Sequence, residues 1–324
     1  SKGADSGQMF SGLKISKDAD FRKHLNKYDV LHIDIQWFLA NCEDADKVVS
    51  FITKSVLDEL RGIYPDVLPQ EVVTLPDALS RVKERTGQKF VVIIDEWDVI
   101  IRDGAIIENI QDEYLNFLRG MFKGSEPTKY IQLAYLTGIL PIKKIKTQSA
   151  LNNFDEFTML DAGRLVSFVG FTEDEVKTLC EKYRMDFEQV KKWYDGYCLG
   201  ECHIYNPIAV VNLVTKGKFK SYWSETGTYE AIVPLLNMDF EGLKTAIIEM
   251  LGGSRAEIDV SSFQNDMVSF ANRDDVLTYL IHLGYLGYDE DAEAAFVPNE
   301  EIRQELTKAI RRNAWDEMIQ NQRC

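Results

Sequence analysis

The sequence predicts an α/β fold in which a parallel sheet layered with helices is followed by a mostly helical domain. Three observations lead there. Through residues 1–164, short apolar and β-branched runs alternate with amphipathic stretches, the pattern of strands joined by crossover helices. Beyond about residue 165 the strand-like runs give way to helical periodicity. The strongest apolar run, Phe90–Ile94, leads directly into two carboxylates, Asp95 and Glu96. It therefore delivers charge to the carboxyl edge of a sheet, where α/β proteins bind ligands.

The elements follow in order. Tyr28–Ile35 reads as the first strand. From Asp44 to Ile63 the positions Val48, Val49, Phe51, Ile52, Val56, Leu57 and Leu60 repeat at helical spacing. Pro65 and Pro69 punctuate a loop, and Leu75–Arg85 is a second helix closed by Gly87. The Phe90–Ile94 strand, a helix near Gln111–Phe122, a strand at Tyr130–Leu136 and a short fourth strand at Phe157–Leu160 complete a first domain, 1–164. In the second domain, 165–324, Thr172 and Glu175 have the spacing of a capping box. Helices are expected near Asp186–Tyr194, Pro207–Val214, Tyr229–Leu236, Gly242–Leu251, Asp274–Leu283 and Glu300–Asn313. A small hairpin is expected between Gly284–Tyr288 and Ala295–Pro298.

Composition narrows the function classes. The chain has 324 residues, 45% hydrophobic and 27% charged, as expected of a globular protein of about two domains. Its apolar runs are far too short to span a bilayer, and Ser1–Gly7 lacks the order of a secretory leader. The net charge of −15, from 52 acidic and 37 basic residues, repels a phosphate backbone and argues against direct nucleic-acid binding. Lys143–Lys144–Ile145–Lys146 is a local basic patch, read as a solvated loop or helix end. Five scattered cysteines, Cys42, Cys180, Cys198, Cys202 and Cys324, point to reduced thiols and a cytoplasmic protein. Cys198, Cys202 and His203 invite a zinc reading, but no second ligand pair accompanies them, and structural cysteines are the better account.

Asp95 and Glu96 carry the sharpest chemistry. A buried strand ending in adjacent carboxylates is how nucleotide hydrolases with a phosphate loop build their Walker B element. The first acid holds Mg²⁺ through water, and the second polarises an attacking water. Many α/β proteins also end strands in acids, so this run alone leaves a structural role open. Thr137, after the Tyr130–Leu136 strand, stands where a polar side chain reads a γ-phosphate. Asp34 lies at the same edge, with a cap role the better reading. No G-x-x-x-x-G-K-[ST] phosphate loop occurs anywhere in the chain. The aromatic clusters Trp193–Tyr197, Tyr205–Asn206–Pro207 and Tyr222–Trp223 read as structural corners, with an exposed recognition patch as the alternative.

Taken in order, several motifs resemble the bacterial AAA-ATPase-like family. They are Met9–Leu13, Ile94–Asp95–Glu96–Trp97–Asp98, Leu136–Thr137–Gly138–Ile139, Ser149–Asn153 and Gly170–Glu173, then Trp193–Tyr197, Tyr205–Asn206–Pro207 and Pro298–Asn299–Glu300. The resemblance spans roughly residues 9–305. It departs mildly at Trp97, where the family usually has Tyr. It implies a P-loop NTPase-like parallel sheet, incomplete here, whose phosphate loop lies upstream, and a PD-(D/E)XK nuclease-like domain downstream. It makes Asp95 and Glu96 the Walker B pair and Thr137 the sensor-like residue.

The implied cofactors are ATP and Mg²⁺, which this chain is not expected to bind on its own. The implied function is an ATPase-like regulatory module controlling a nuclease-like effector. The alternative is a non-catalytic interaction scaffold derived from such an NTPase, with a protein partner or self-association. That this segment is itself a nuclease finds no support, because no acid is followed by a Glu-x-Lys on a neighbouring strand. A P-loop sheet without the strand that enters the phosphate loop is expected to leave a gap between two parallel strands. The missing segment would come from elsewhere as a separate fragment, another strand would fill the gap, or the remaining strands would close up in a different order.

Overall fold

A computed structural model describes residues 1–102, 106, 108–142, 151, 153–223, 229–263 and 270–312. The basic patch at 143–146, most of the Ser149–Asn153 motif and Cys324 lie outside the described residues. The chain divides into two compact units, Ser1–Phe154 and Asp155–Cys324. Among the described residues, no helix is long and apolar enough to cross a membrane.

The first unit is built on a parallel sheet of three strands, β1 (Asp29–Asp34), β2 (Phe90–Asp95) and β3 (Ile131–Leu136), ordered β1-β2-β3. β2 is central, and its side chains alternate: Phe90, Val92 and Ile94 are buried, while Val91 and Ile93 on the other face are half-covered. Three helices supply about half of the apolar core, α1 (Val48–Ile63), α2 (Leu75–Thr86) and α3 (Glu108–Phe122), packed pairwise on one another. α1 buries Val48, Val49, Ile52, Val56, Leu57 and Leu60, a single stripe at helical spacing. Each of these side chains stabilises the unit by about 2 kcal/mol before entropy is charged against it. α2 takes Pro76 in its first turn and ends at Gly87, whose φ of 73° closes the last turn through a 2.7 Å bond to Lys83 O.

Two expectations change here. The three strands pair side by side, β1 with β2 and β2 with β3, so the expected internal gap is absent among the described residues. Any further strand can join only along an outer edge. Phe157–Leu160, the expected fourth strand, is instead a turn. Thr158 N donates to Asp161 O (2.7 Å), and Thr158 Oγ1 accepts from Leu160 N and Asp161 N at 3.1 and 3.2 Å. The hydroxyl supplies local bonds that compete with a sheet ladder, and the β-propensity of Phe and Leu loses.

The second unit is mostly helical, with two small antiparallel sheets. β4 (Phe171–Thr172), β5 (Tyr197–Leu199) and β6 (Cys202–Tyr205) form one, ordered β4-β6-β5. The capping box is present as read: Glu175 N donates to Thr172 Oγ1 and Thr172 N to the Glu175 carboxylate, opening the helix Glu173–Tyr183. In the other sheet, Gly287–Asp289 pairs with Ala294–Phe296 as the expected hairpin. The aromatic runs are corners. Tyr194, Tyr197, Tyr205 and Tyr222 are buried, Tyr194 OH donates to Lys220 O (2.9 Å), and Tyr197 OH donates to Gly284 O (2.6 Å). Asn206 caps the helix Pro207–Lys216 by accepting from Ile208 N and Ala209 N.

Candidate functional site

The carboxyl edge of the parallel sheet gathers the residues singled out in the first unit. Parallel register places Asp34 beside Asp95, and Ile94 beside Leu136. Two backbone bonds extend the β2–β3 pairing past the strand ends: Thr137 N donates to Ile94 O, and Trp97 N to Thr137 O, both at 2.9 Å. Thr137 therefore lies against Asp95, and its hydroxyl donates to Asp95 Oδ1, which also accepts from Glu96 N at 3.2 Å. Asp34 Oδ1 caps the helix Ile35–Asn41 by accepting from Trp37 N at 2.9 Å.

Glu96 sits in the left-handed backbone region at φ 52°. Only glycine adopts that region freely, and holding glutamate there costs roughly 1–2 kcal/mol. Its carboxylate accepts from Arg102 Nη2 at 2.8 Å. Burial pushes the Glu96 carboxyl above its ordinary value. The Arg102 charge opposes that shift, and Asp98, Asp95 and Asp34 add to it.

Asp98 is the residue that sequence reasoning missed. It is 0% exposed, and its Oδ2 accepts from Arg102 Nε (2.9 Å), Ile139 N (3.0 Å) and Leu140 N (2.8 Å). Its Oδ1 has no hydrogen-bond partner among the described residues and faces Gly138, where a Cβ would stand 2.6 Å from that oxygen and from the Trp97 ring. Trp97, the position of the mild departure from the family pattern, is buried against this turn. The signal for Asp98 was its four-residue spacing from Arg102, which fits an ion pair across one helical turn. Arg102 is thus no surface residue but a fork joining two carboxylates. Arg164, by contrast, forms an exposed pair with Asp155 at 3.3 Å.

The oxygen donors at this edge suit a hard cation such as Mg²⁺. Among the described residues Asp95 engages only Oδ1, and Asp34 stands beside it on the neighbouring strand.

In the second unit, His203 Nδ1 lies 3.0 Å from Asp195 Oδ2, with a Glu173 oxygen within 4.8 Å of both ligand atoms. Lys177 (2.5 Å) and Lys191 (3.2 Å) already occupy the two Glu173 oxygens and hold its carboxyl below the ordinary value. The cluster is therefore a neutralised ion network, and no cysteine belongs to it. Cys198 Sγ lies 3.2 Å from Gly200 O, and burial pushes its thiol pKa up.

The family-model match falls on the first unit. Residues 2–147 match the family model described as "Predicted AAA-ATPase". A relative from Azotobacter chroococcum mcd 1, described as "Uncharacterized protein in vnfD 5'region", is 31% identical over 153 residues, which is 46% of this chain and 29% of that protein. The chain's match thus spans less than a third of that relative's length. No solved structure matches. Asp95, Glu96, Asp98, Arg102 and Thr137 all lie within the matched span.

Proposed function

We propose that the first unit is the hydrolytic edge of an ATPase-like regulatory module whose phosphate loop comes from a segment outside these 324 residues. The observation that carries this reading is the meeting of Asp95, Glu96 and Thr137 at the carboxyl edge of a parallel sheet, with the Thr137 hydroxyl on the Asp95 carboxylate. The similarity of residues 2–147 to a predicted AAA-ATPase family supports it at a coarser level.

Asp95, with Asp34 beside it, would hold Mg²⁺ through water, and the ion would neutralise charge on the transferring phosphoryl group. Glu96 is the general base that orients and deprotonates the attacking water, while Thr137 orients the terminal phosphate from the adjacent strand. A strand leading into a phosphate loop would pair along an outer edge of the sheet. The exposure of Leu133 (57%) and Tyr135 (49%) favours the β3 edge. Control of a PD-(D/E)XK nuclease-like effector rests on the family resemblance alone.

Calorimetric titration with Mg·ATP tests the reading. The full-length gene product binds ATP, and Asp95→Ala weakens that binding in Mg²⁺ more than in EDTA. The isolated 324-residue chain binds weakly or not at all. Micromolar affinity in the isolated chain would remove the need for an outside phosphate loop.

A second reading, a non-catalytic scaffold, has one observation in its favour. Val30 (38% exposed), Leu133 and Tyr135 are apolar and stand open on the sheet, as a protein-binding surface would. Full ATP turnover with a requirement for Glu96 would decide against it.

A further inference from the structure

Glu96 is not poised for the role just given to it. A general base must bring a carboxylate oxygen within about 2.6–3.2 Å of the proton it takes, and Glu96 Oε2 already accepts from Arg102 Nη2 at 2.8 Å. Arg102 cannot follow Glu96 toward a substrate, because its Nε is bound at 2.9 Å to Asp98 Oδ2. Asp98 is itself immovable on its own, being fully buried and bonded through the same oxygen to Ile139 N and Leu140 N. The peptide groups it grips directly follow Thr137, whose hydroxyl touches Asp95. Gly138 lies between them with no room for a side chain against Asp98 and Trp97. A chain of direct contacts therefore runs from Thr137 through the 138–140 turn and Asp98 to Arg102 and ends on Glu96. Glu96 at the far end is partly exposed on a left-handed backbone, so its carboxylate has space to leave the guanidinium.

We propose that Arg102 is a positioning residue that holds the Glu96 carboxylate in a resting place, and that movement of the Thr137–Leu140 turn releases it through Asp98. This rests on the ATPase reading above. A ligand that engages Thr137 shifts the turn. The shift carries Asp98 and the guanidinium with it, and the freed carboxylate swings to the water it must polarise. Two arrangements of one packed network, biased by ligand, are what such coupling requires. The resting arrangement suppresses futile hydrolysis in a protein whose task is to switch.

The test is steady-state ATP turnover by the full-length gene product, with kcat and KM resolved for wild type, Arg102→Met and Arg102→Lys. Arg102→Met raises kcat by at least about fivefold, the lower end of usual coupling factors. KM does not rise, because the bound ligand no longer has to displace the Glu96–Arg102 contact. Its thermal midpoint falls at the same time, since Asp98 loses its ionic partner. Arg102→Lys keeps a cation for Asp98 but has no fork to bridge both carboxylates, so kcat rises with a smaller loss of stability. A merely structural arginine would lower stability and turnover together. Should Arg102→Met fail to fold, the lysine variant decides. Turnover at or below wild type in the folded variants, with wild type active, overturns the resting-place assignment alone. A wild type that binds no ATP and hydrolyses none overturns the ATPase reading, and this inference with it.

Discussion

Glu301 shows how one side chain couples stability to pH. Its carboxylate is almost fully buried and accepts from Tyr222 N at 2.6 Å and Trp223 N at 3.0 Å. Burial pushes its pKa from the ordinary 4.5 up to about 7; the two backbone donors oppose the rise and Glu305 adds to it. Because the folded state keeps the proton that the unfolded state loses, this contribution is complete below about pH 4.5. It declines as pH rises toward 7, and its loss is complete above that. At about 1.4 kcal/mol per tenfold change in proton affinity, the window is worth on the order of 3 kcal/mol. Denaturant unfolding between pH 4.5 and 8 should show a slope in that window for wild type and a flatter one for Glu301→Gln. An unchanged slope would assign the pH dependence elsewhere. A single acid such as Glu301 was illegible in the sequence because nothing local distinguishes a buried carboxylate from a solvated one. Asp95 and Glu96 were legible because a β-branched run delivers them to a strand end.

At the scale of elements, the strands and helices with strong periodicity were readable. The helices at Val48–Ile63 and Leu75–Thr86 and the strand at Phe90–Asp95 follow their apolar spacing closely. The hairpin Tyr197–Tyr205 was not anticipated, since its three- and four-residue strands contain cysteine and histidine and carry almost no periodic signal. What fixes its approach is Gly196, at φ 110°, where a Cβ would lie 2.0 Å from Pro298 O. Asn299 Nδ2 also donates to Asp195 O at 2.8 Å, so the runs Trp193–Tyr197 and Pro298–Glu300, far apart in sequence, form one joint. Gly196→Ala should therefore cost about 3–5 kcal/mol through backbone strain and overlap together, read as a lowered denaturant midpoint. A loss under about 1 kcal/mol would show that the joint yields.

At the scale of the whole molecule, the chain carries −15 charges and divides into two units, of which only the first bears the candidate hydrolytic edge. The similarity to predicted AAA-ATPases also falls on residues 2–147, so the acidic edge and the family match coincide. The sequence foretold a parallel sheet, but its strand order follows from pairing between residues as far apart as Asp34 and Asp95, which local pattern does not encode. The sheet turns out contiguous, with the Asp95–Glu96 pair on its central strand and apolar side chains open on β3. The most direct measurement is ATP hydrolysis by the full-length gene product with Glu96→Gln, alongside ATP binding by the same variant. The account predicts retained binding with turnover reduced by about 10²–10⁴, the usual worth of a general base. Turnover equal to wild type would contradict it.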